Sequence, residues 1–316
     1  MNVLTEKKNS VQGFLSLFGS MLLYAFSGVV VVGLSTVFDN VGQVTFRALA
    51  ALALTVVWLL VVGFRYKLKH YKEYDMRWLA VDIVCRPIFN ISFVYATLEI
   101  GPTVALFYLF SSKVIFGGII KSIFGSKNKE WFDYLSYLMV VTGLLVFTFP
   151  ISAFSIGIVI AMIAGLFEAV KSEAMGMLLV KGEDKPVVAL YEFASLAVIT
   201  AVIVLLTNQR FITSVITMDA WLVLGMSAVV AVGSLFLELT GFAKFDADLG
   251  NAVLASEMGF AGLINFVILG TLMSFSQIIG AAILVVSLAF VALASYLRNK
   301  NKEFEKRRRK EILMEG

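Results

Sequence analysis

The sequence has very few of the residues that catalysis and metal binding use most often. Among its 316 residues there is one histidine, His70, and one cysteine, Cys85, so neither an intrachain disulfide nor a histidine and cysteine metal cluster can form. His70 falls in a polar loop, which excludes a Ser-His catalytic pair within the apolar segments. A phosphate-binding loop of the Walker type is also missing. We therefore expect no enzyme, no bound metal or cofactor, and no direct use of ATP.

Charged residues are scarce too, at 15% of the chain, whereas 59% of the residues are hydrophobic and the mean hydropathy is +0.90. This is more apolar surface than a water-soluble globule can bury. A bilayer core of roughly 30 Å takes about 20 apolar residues of helix to cross. The sequence predicts an all-α, multi-pass protein of the cell membrane (inner or plasma) with ten spans, at 12–33, 42–64, 77–99, 103–124, 131–149, 153–178, 187–206, 219–241, 249–270 and 275–297.

The distribution of basic residues predicts the topology. Nearly all Lys and Arg outside the spans lie on one side, and the loops on the other side hold only Arg210. Because cytoplasmic loops carry the excess of basic residues, we expect both termini in the cytoplasm. Five spans precede the near-neutral loop at 149–153 and five follow it. Since five is odd, the second half crosses in the opposite sense, which predicts two inverted repeats, 1–150 and 151–298.

A basic tail, 299–316, follows the last span on the cytoplasmic side and contains Lys306–Lys310. Anionic lipid is the partner expected for such a segment, at about 1 kcal/mol per basic residue near the surface. The sequence pI of about 9.0 has the same origin and implies no nucleic acid. Whether the protein is a monomer or a homodimer stays open.

Four charged residues fall near the middle of predicted spans: Arg86, Lys113, Glu168 and Glu257. A charge at the centre of a spanning helix costs on the order of 2.5 to 3.5 kcal/mol unless it is paired or hydrated. Opposite charges in separate spans therefore predict a polar cavity near the midplane. Such a cavity would bind a small charged or zwitterionic metabolite.

The third span carries Asp82, Arg86 and Asn90 at i, i+4 and i+8, which places them on one helix face. In one interpretation Asp82 and Arg86 form an internal pair that only holds helices together. In the other, Arg86 precedes a kink at Pro87 and presents its guanidinium to a substrate carboxylate or phosphate, with Asn90 beside it. The sequence favours the second.

Lys113 and Glu168 allow the same two interpretations. Lys113 either anchors the anionic group of a substrate or is permanently paired with Glu168 or Glu257. Glu168 either binds a substrate ammonium or pairs with Lys171, three residues later on the same helix.

Glu257 has no opposite charge within one turn of its own span. Because burial favours the protonated form of a carboxyl group, Glu257 is the residue that we expect to carry a coupled proton, with neutral hydrogen bonding as the structural alternative. Two tyrosines, Tyr24 and Tyr108, are expected in the cavity wall.

Three further charged residues in the spans are expected to have other roles. Arg47 lies about five residues from the outer end of its span, so its side chain can extend to the lipid headgroups. Glu192 and Glu238 lie closer to the cytoplasmic ends of their spans, where we expect gate or interface groups.

The run Thr45–Leu52 resembles the arginine-bearing second helix of EamA-type members of the drug/metabolite transporter superfamily. Tyr95–Leu106 is similar to the family's junction between the third and fourth helices, and Gly241–Val253 resembles the second copy of that junction. Where the family commonly has a proline, this chain has Ser112-Lys113 and Glu257-Met258, so we expect less kinked helices there. The resemblance implies ten helices, a central cavity, alternating access and, as a common activity, export of metabolites or amino acids.

We therefore expect a secondary active transporter, an exporter or exchanger, for a small charged or zwitterionic metabolite of the amino-acid type, coupled to a proton or a counter-substrate. Two alternatives stay open. One is an importer or antiporter for a nucleotide-type or other organic anion, which the acidic residues within the spans disfavour. The other is a non-transporting scaffold or lipid flippase, in which the midplane charges are permanent pairs.

Overall fold

The structure is a computed structural model that describes residues 3–63, 76–124, 131–148, 155–180, 185–244, 253–254, 257–270, 272–283, 285–287 and 290. The helices are α1 (Val3–Tyr24), α2 (Ser27–Leu34), α3 (Asn40–Gly63), α4 (Met76–Ile100), α5 (Pro102–Phe124), α6 (Trp131–Thr148), α7 (Ile156–Val180), α8 (Lys185–Leu206), α9 (Met218–Phe242) and α10 (Glu257–Leu269). A further apolar helix spans Phe275–Ser287. The predicted tail, the loop at 149–153 and His70 lie outside the described residues.

Among the described residues, six helical segments are long and apolar enough to cross a membrane, namely Gln12–Leu34, Asn40–Val61, Met76–Ile100, Pro102–Ile120, Lys185–Leu206 and Met218–Phe242. The expectation of an all-α membrane protein is therefore confirmed. Helices α3 to α9 end within three residues of the predicted spans, because the lengths of apolar runs are a local property. The central part of α7 is more polar, since it carries Glu168, Lys171 and Glu173.

The first predicted span is interrupted. Helix α1 ends at Tyr24 and α2 begins at Ser27, near the middle of the apolar segment Gln12–Leu34. Phe26 occupies the N-cap position of α2 and gives no side-chain hydrogen bond to it. The first backbone N–H groups of α2 therefore have neither an intrahelical acceptor nor a side-chain cap from Phe26.

The most extensive helix contacts are α4 with α7, α5 with α7, α3 with α8, and α1 with α9. Small residues allow the closest of these approaches. A Cβ atom at Gly165 in α7 would overlap the carbonyl oxygen of Leu109 in α5 and lie 2.9 Å from the backbone nitrogen of Lys113. Many large apolar side chains, such as Leu205 and Val267, are exposed on the outer surface, as expected where helices face lipid.

A tight turn joins α4 and α5. Gly101 lies between Ile100 and Pro102 with φ +83°, a left-handed conformation that glycine adopts without steric cost. This turn sets side by side two apolar helices that each carry a buried cation, Arg86 in the first and Lys113 in the second.

Candidate functional site

A cavity lies among α1, α2, α3, α4, α5, α7, α8, α9 and α10. The space open to the centres of water molecules in this cavity is about 70 Å³. One water needs roughly 10–15 Å³ of such space, so the cavity has room for several waters. Six charged side chains line it: Arg47, Arg86, Lys113, Glu168, Glu238 and Glu257. The rest of the wall is largely apolar, with four phenylalanines, Phe89, Phe93, Phe110 and Phe193.

The structure brings most of the predicted site residues together in this one cavity: Arg86, Asn90, Lys113, Glu168, Glu257 and Tyr24 all line it. Tyr108 does not, and its prediction as a wall residue is corrected. It packs beside Ala96 and Ile158. The reason is helical rotation: Leu106, Leu109, Phe110 and Lys113 form the cavity face of α5, and Tyr108 lies on the other side of that helix.

Arg86 forms an ion pair with Glu192 of α8, with Nη2 and Oε2 3.2 Å apart, and its guanidinium lies 5.5 Å from the centre of the Phe193 ring. The alternative of an internal pair with Asp82 is therefore wrong. Glu192, which was expected to be a gate or interface group, lies at the contact between α8 and α4. The oxygens of Asp82 accept no hydrogen bond from any described residue, although Asp82 lies close to Glu192. Glu192 reaches Arg86 because α8 packs against α4.

The pairing leaves part of the Arg86 guanidinium unused. Its Nε and Nη1 atoms are buried and donate no hydrogen bond to any described group. Asn90, one turn later, donates from Nδ2 to the Arg86 carbonyl oxygen at 2.9 Å and so does not satisfy them. An incoming acceptor could therefore bind Arg86 without displacing Glu192.

Glu168 is held between two lysines. Lys113 Nζ lies 3.2 Å from Oε1, and Lys171 Nζ lies 3.0 Å from Oε2. Both pairs considered from the sequence thus exist together. The contact with Lys171, three residues later on the same helix, is an ion pair without hydrogen-bond geometry. Gly165, one turn before Glu168, lets α7 approach α5 closely enough for the pair with Lys113.

Arg47 lines the cavity and does not extend to the headgroups as predicted. The contacts of α3 with α8 and α9 turn the face that carries Val44, Arg47 and Ala48 inward. Within the described part of the chain, no carboxylate lies within 4.0 Å of the Arg47 guanidinium. The charged group that influences Arg47 most is the like-charged Arg86.

Two carboxylates in the wall also have no cationic partner in direct contact among the described residues. Glu257 is 2% exposed and forms no described hydrogen bond, with Lys113 as the cation that influences it most. Glu238 accepts a long hydrogen bond of 3.4 Å from the Tyr24 hydroxyl at Oε2, and its Oε1 is unpartnered. Glu238 was expected to be a gate or interface group, and the structure puts it in the cavity wall.

No protein-family model and no curated protein matches this chain. Chains of solved structures do match, and one of them is described only as "Crystal structure of protein". It shares 15% sequence identity with this chain and superposes with a TM-score of 0.68, over 91% of this chain and 97% of that chain. At this identity the similarity shows the fold alone. The helical arrangement described above has thus been seen before in a crystal, over nearly the full chain.

Proposed function

We propose that the protein is a secondary active transporter, an exporter or exchanger, of a small charged or zwitterionic metabolite of the amino-acid type. One observation carries this proposal: a cavity with room for water, enclosed by membrane-spanning helices, is lined by ionic groups of both signs that are only partly paired. Arg47 and Glu257 have no oppositely charged group in direct contact among the described residues, and a protein that needed these charges only to hold helices together would gain nothing from that.

The helix contacts support alternating access by two inverted five-helix repeats. If the first repeat comprises α1/α2 to α6 and the second comprises α7 to the helix Phe275–Ser287, each major contact has a counterpart after exchange of the repeats. The contact of α4 with α7 corresponds to that of α9 with α1, and the contact of α5 with α7 to that of α10 with α1 and α2. The contact of α3 with α8 corresponds to itself. The cavity lies between the two sets, where inverted-repeat transporters bind substrate.

The resemblance to EamA-type transporters supports the same proposal. Two of the similar segments fall at positions that shape the cavity: Thr45–Leu52 contains Arg47 and Ala48, which line it, and Tyr95–Leu106 contains the turn at Gly101. A transporter of this type would use a proton or a counter-substrate and no ATP.

Each charged group of the cavity would have its own role in binding the substrate or the proton. Arg86 offers the N–H groups of its unpartnered Nε and Nη1 atoms to the anionic group of the substrate. Lys113 and Glu168 are paired at 3.2 Å, and a zwitterion, which brings both charges, can replace that pairing without changing the net charge of the cavity. Glu257 takes the coupled proton.

The test is flux in proteoliposomes. Purified protein should exchange radiolabelled amino acids, and Arg86→Ala should abolish the exchange. Arg210→Gln removes the same charge from an exposed position outside the cavity and should transport normally. Absence of flux for every amino acid in the wild-type protein, or full flux in Arg86→Ala, would contradict the proposal.

The scaffold or flippase alternative finds some support in the buried pairs of Arg86 with Glu192 and of Lys113 with Glu168. Thermal unfolding separates it from a transporter, since a ligand that binds the folded state raises the unfolding temperature and a scaffold responds to no small metabolite. A nucleotide-type anion is the weaker alternative, because Glu238 and Glu257 in the cavity wall repel phosphates.

A further inference from the structure

We infer that Arg47 and Arg86 together form the binding site for a single carboxylate group of the transported molecule. This inference rests on the proposed function and adds to it a second anchoring residue, which belongs to a different helix, and a charge limit for the ligand.

Pairing decides which cations are available. Lys113 and Lys171 both contact Glu168, at 3.2 and 3.0 Å, so their charges are partly neutralised. Arg47 contacts no carboxylate among the described residues, and Arg86 has one contact, to Glu192, with Nε and Nη1 left over. Among the described residues, the cations of the cavity wall that keep charge available for a ligand are thus the two arginines.

Their mutual position makes the pair a site. Arg47 of α3 and Arg86 of α4 line the same cavity, and the two charges act on each other. Like charges in a cavity with largely apolar walls repel each other more strongly than they would in water. An anion between them offsets that repulsion and accepts hydrogen bonds from the unpartnered N–H groups. A guanidinium binds a planar carboxylate group through two parallel hydrogen bonds.

Charge sets the class of ligand. The two arginines carry two positive charges, and among the described residues only Glu192 is in direct ionic contact with either of them, so one charge is left for the ligand to balance. A carboxylate supplies one negative charge, whereas a phosphate monoester would bring close to two into a cavity that also contains Glu238 and Glu257. This balance of charges therefore favours a ligand group with a single negative charge.

The experiment compares Arg47→Gln, Arg47→Lys and the exposed control Arg210→Gln with the wild-type protein. The probes are the twenty standard amino acids and their methyl esters, which keep the ammonium group and lose the carboxylate. Binding is measured as the concentration that gives half-maximal thermal stabilisation of the purified protein. For the amino acid that stabilises the wild type most, we expect Arg47→Gln to raise this concentration about tenfold or more, the loss expected for one charged hydrogen-bonding contact.

The methyl esters distinguish a lost contact from a disturbed cavity. Arg47→Gln should not change the response to the ester. For the acid, the half-maximal concentration of Arg47→Lys should lie between those of Arg47→Gln and the wild type, because lysine keeps the charge but lacks the two-point hydrogen-bonding geometry of a guanidinium. Equal weakening for acid and ester, or unchanged binding of the acid in Arg47→Gln, would overturn the assignment while leaving the transporter proposal intact. A wild-type protein that responds to none of the probes would overturn the proposed function itself.

Discussion

Lys113 of α5 and Glu168 of α7 form a buried ion pair across two helices, with Nζ and Oε1 3.2 Å apart. The same carboxylate also contacts Lys171 at 3.0 Å, so one negative charge lies between two positive ones. This arrangement makes Glu168 the group whose loss would leave the most uncompensated charge within the helices.

Glu168→Gln should therefore destabilise the protein strongly. Removing one member of a buried ion pair costs about 3 to 5 kcal/mol, since the partner is left charged and unpaired. The measurement is unfolding in detergent, followed by the loss of helical circular dichroism. Glu173→Gln on the same helix is the matched control, because Glu173 is only partly buried, and it should change stability by less than about 1 kcal/mol. Equal effects of the two variants would contradict the buried pair.

Gly165→Ala should destabilise the contact between α5 and α7. Its Cβ atom would overlap the Leu109 carbonyl oxygen, a backbone atom that cannot move aside alone, and overpacking of this kind costs about 1 to 3 kcal/mol. Gly176→Ala is the control on the same helix. Nothing lies within 4 Å of its added Cβ atom, so it should gain about 0.5 to 1 kcal/mol from helix propensity. The two unfolding temperatures should shift in opposite directions.

The two carboxyl groups near Arg86 should respond differently to neutralisation. Glu192→Gln breaks the direct contact of 3.2 Å and should cost about 3 to 5 kcal/mol. Asp82→Asn removes a buried carboxylate whose oxygens accept no hydrogen bond from a described residue, so its loss of stability should be much smaller. The order of the two unfolding temperatures in one detergent tests this, and a larger effect of Asp82→Asn would mean that Asp82 is the true partner.

Glu257→Gln should remove the pH dependence of transport. Glutamine mimics the protonated carboxyl group at every pH but cannot release a proton. In substrate exchange, which needs no net proton transfer, the variant should therefore match the wild type at acidic pH and depart from it as the wild-type carboxylate ionises. Flux in proteoliposomes buffered across a pH series measures this. Glu99→Gln, at an exposed position outside the cavity, should keep the wild-type profile. An unchanged profile in Glu257→Gln would assign the proton to another group.

The helical, membrane-spanning character could be predicted from the sequence, because the length of an apolar run and the cost of a charge in lipid are local properties. The same cost predicts that Arg86, Lys113, Glu168 and Glu257 meet in one place, since none can face lipid. Their partners could not be predicted. The choice of Glu192 over Asp82 for Arg86 depends on which helix lies beside α4, and that information is tertiary.

Rotation of a helix about its own axis was the second thing that the sequence did not reveal. The depth of Arg47 along its span and the residue type of Tyr108 are visible in the sequence. Neither of them determines the direction in which the side chain points. For Tyr108 the helical spacing does contain a signal, because Tyr108 lies five positions from Lys113 and therefore on another face of the same helix. The interruption between α1 and α2 could not be predicted either, because positions 25 and 26 contain no proline or glycine.

That interruption has a consequence for the solvent inside the protein. Tyr24 and Ser27, on either side of it, both line the cavity, and backbone groups without helical partners persist at membrane depth only against other protein groups or beside water. The main chain itself therefore requires a polar partner at this point, either water or another protein group, and that requirement survives any change of side chain. Neutralising every ionic group in the wall would still leave these backbone groups to be satisfied.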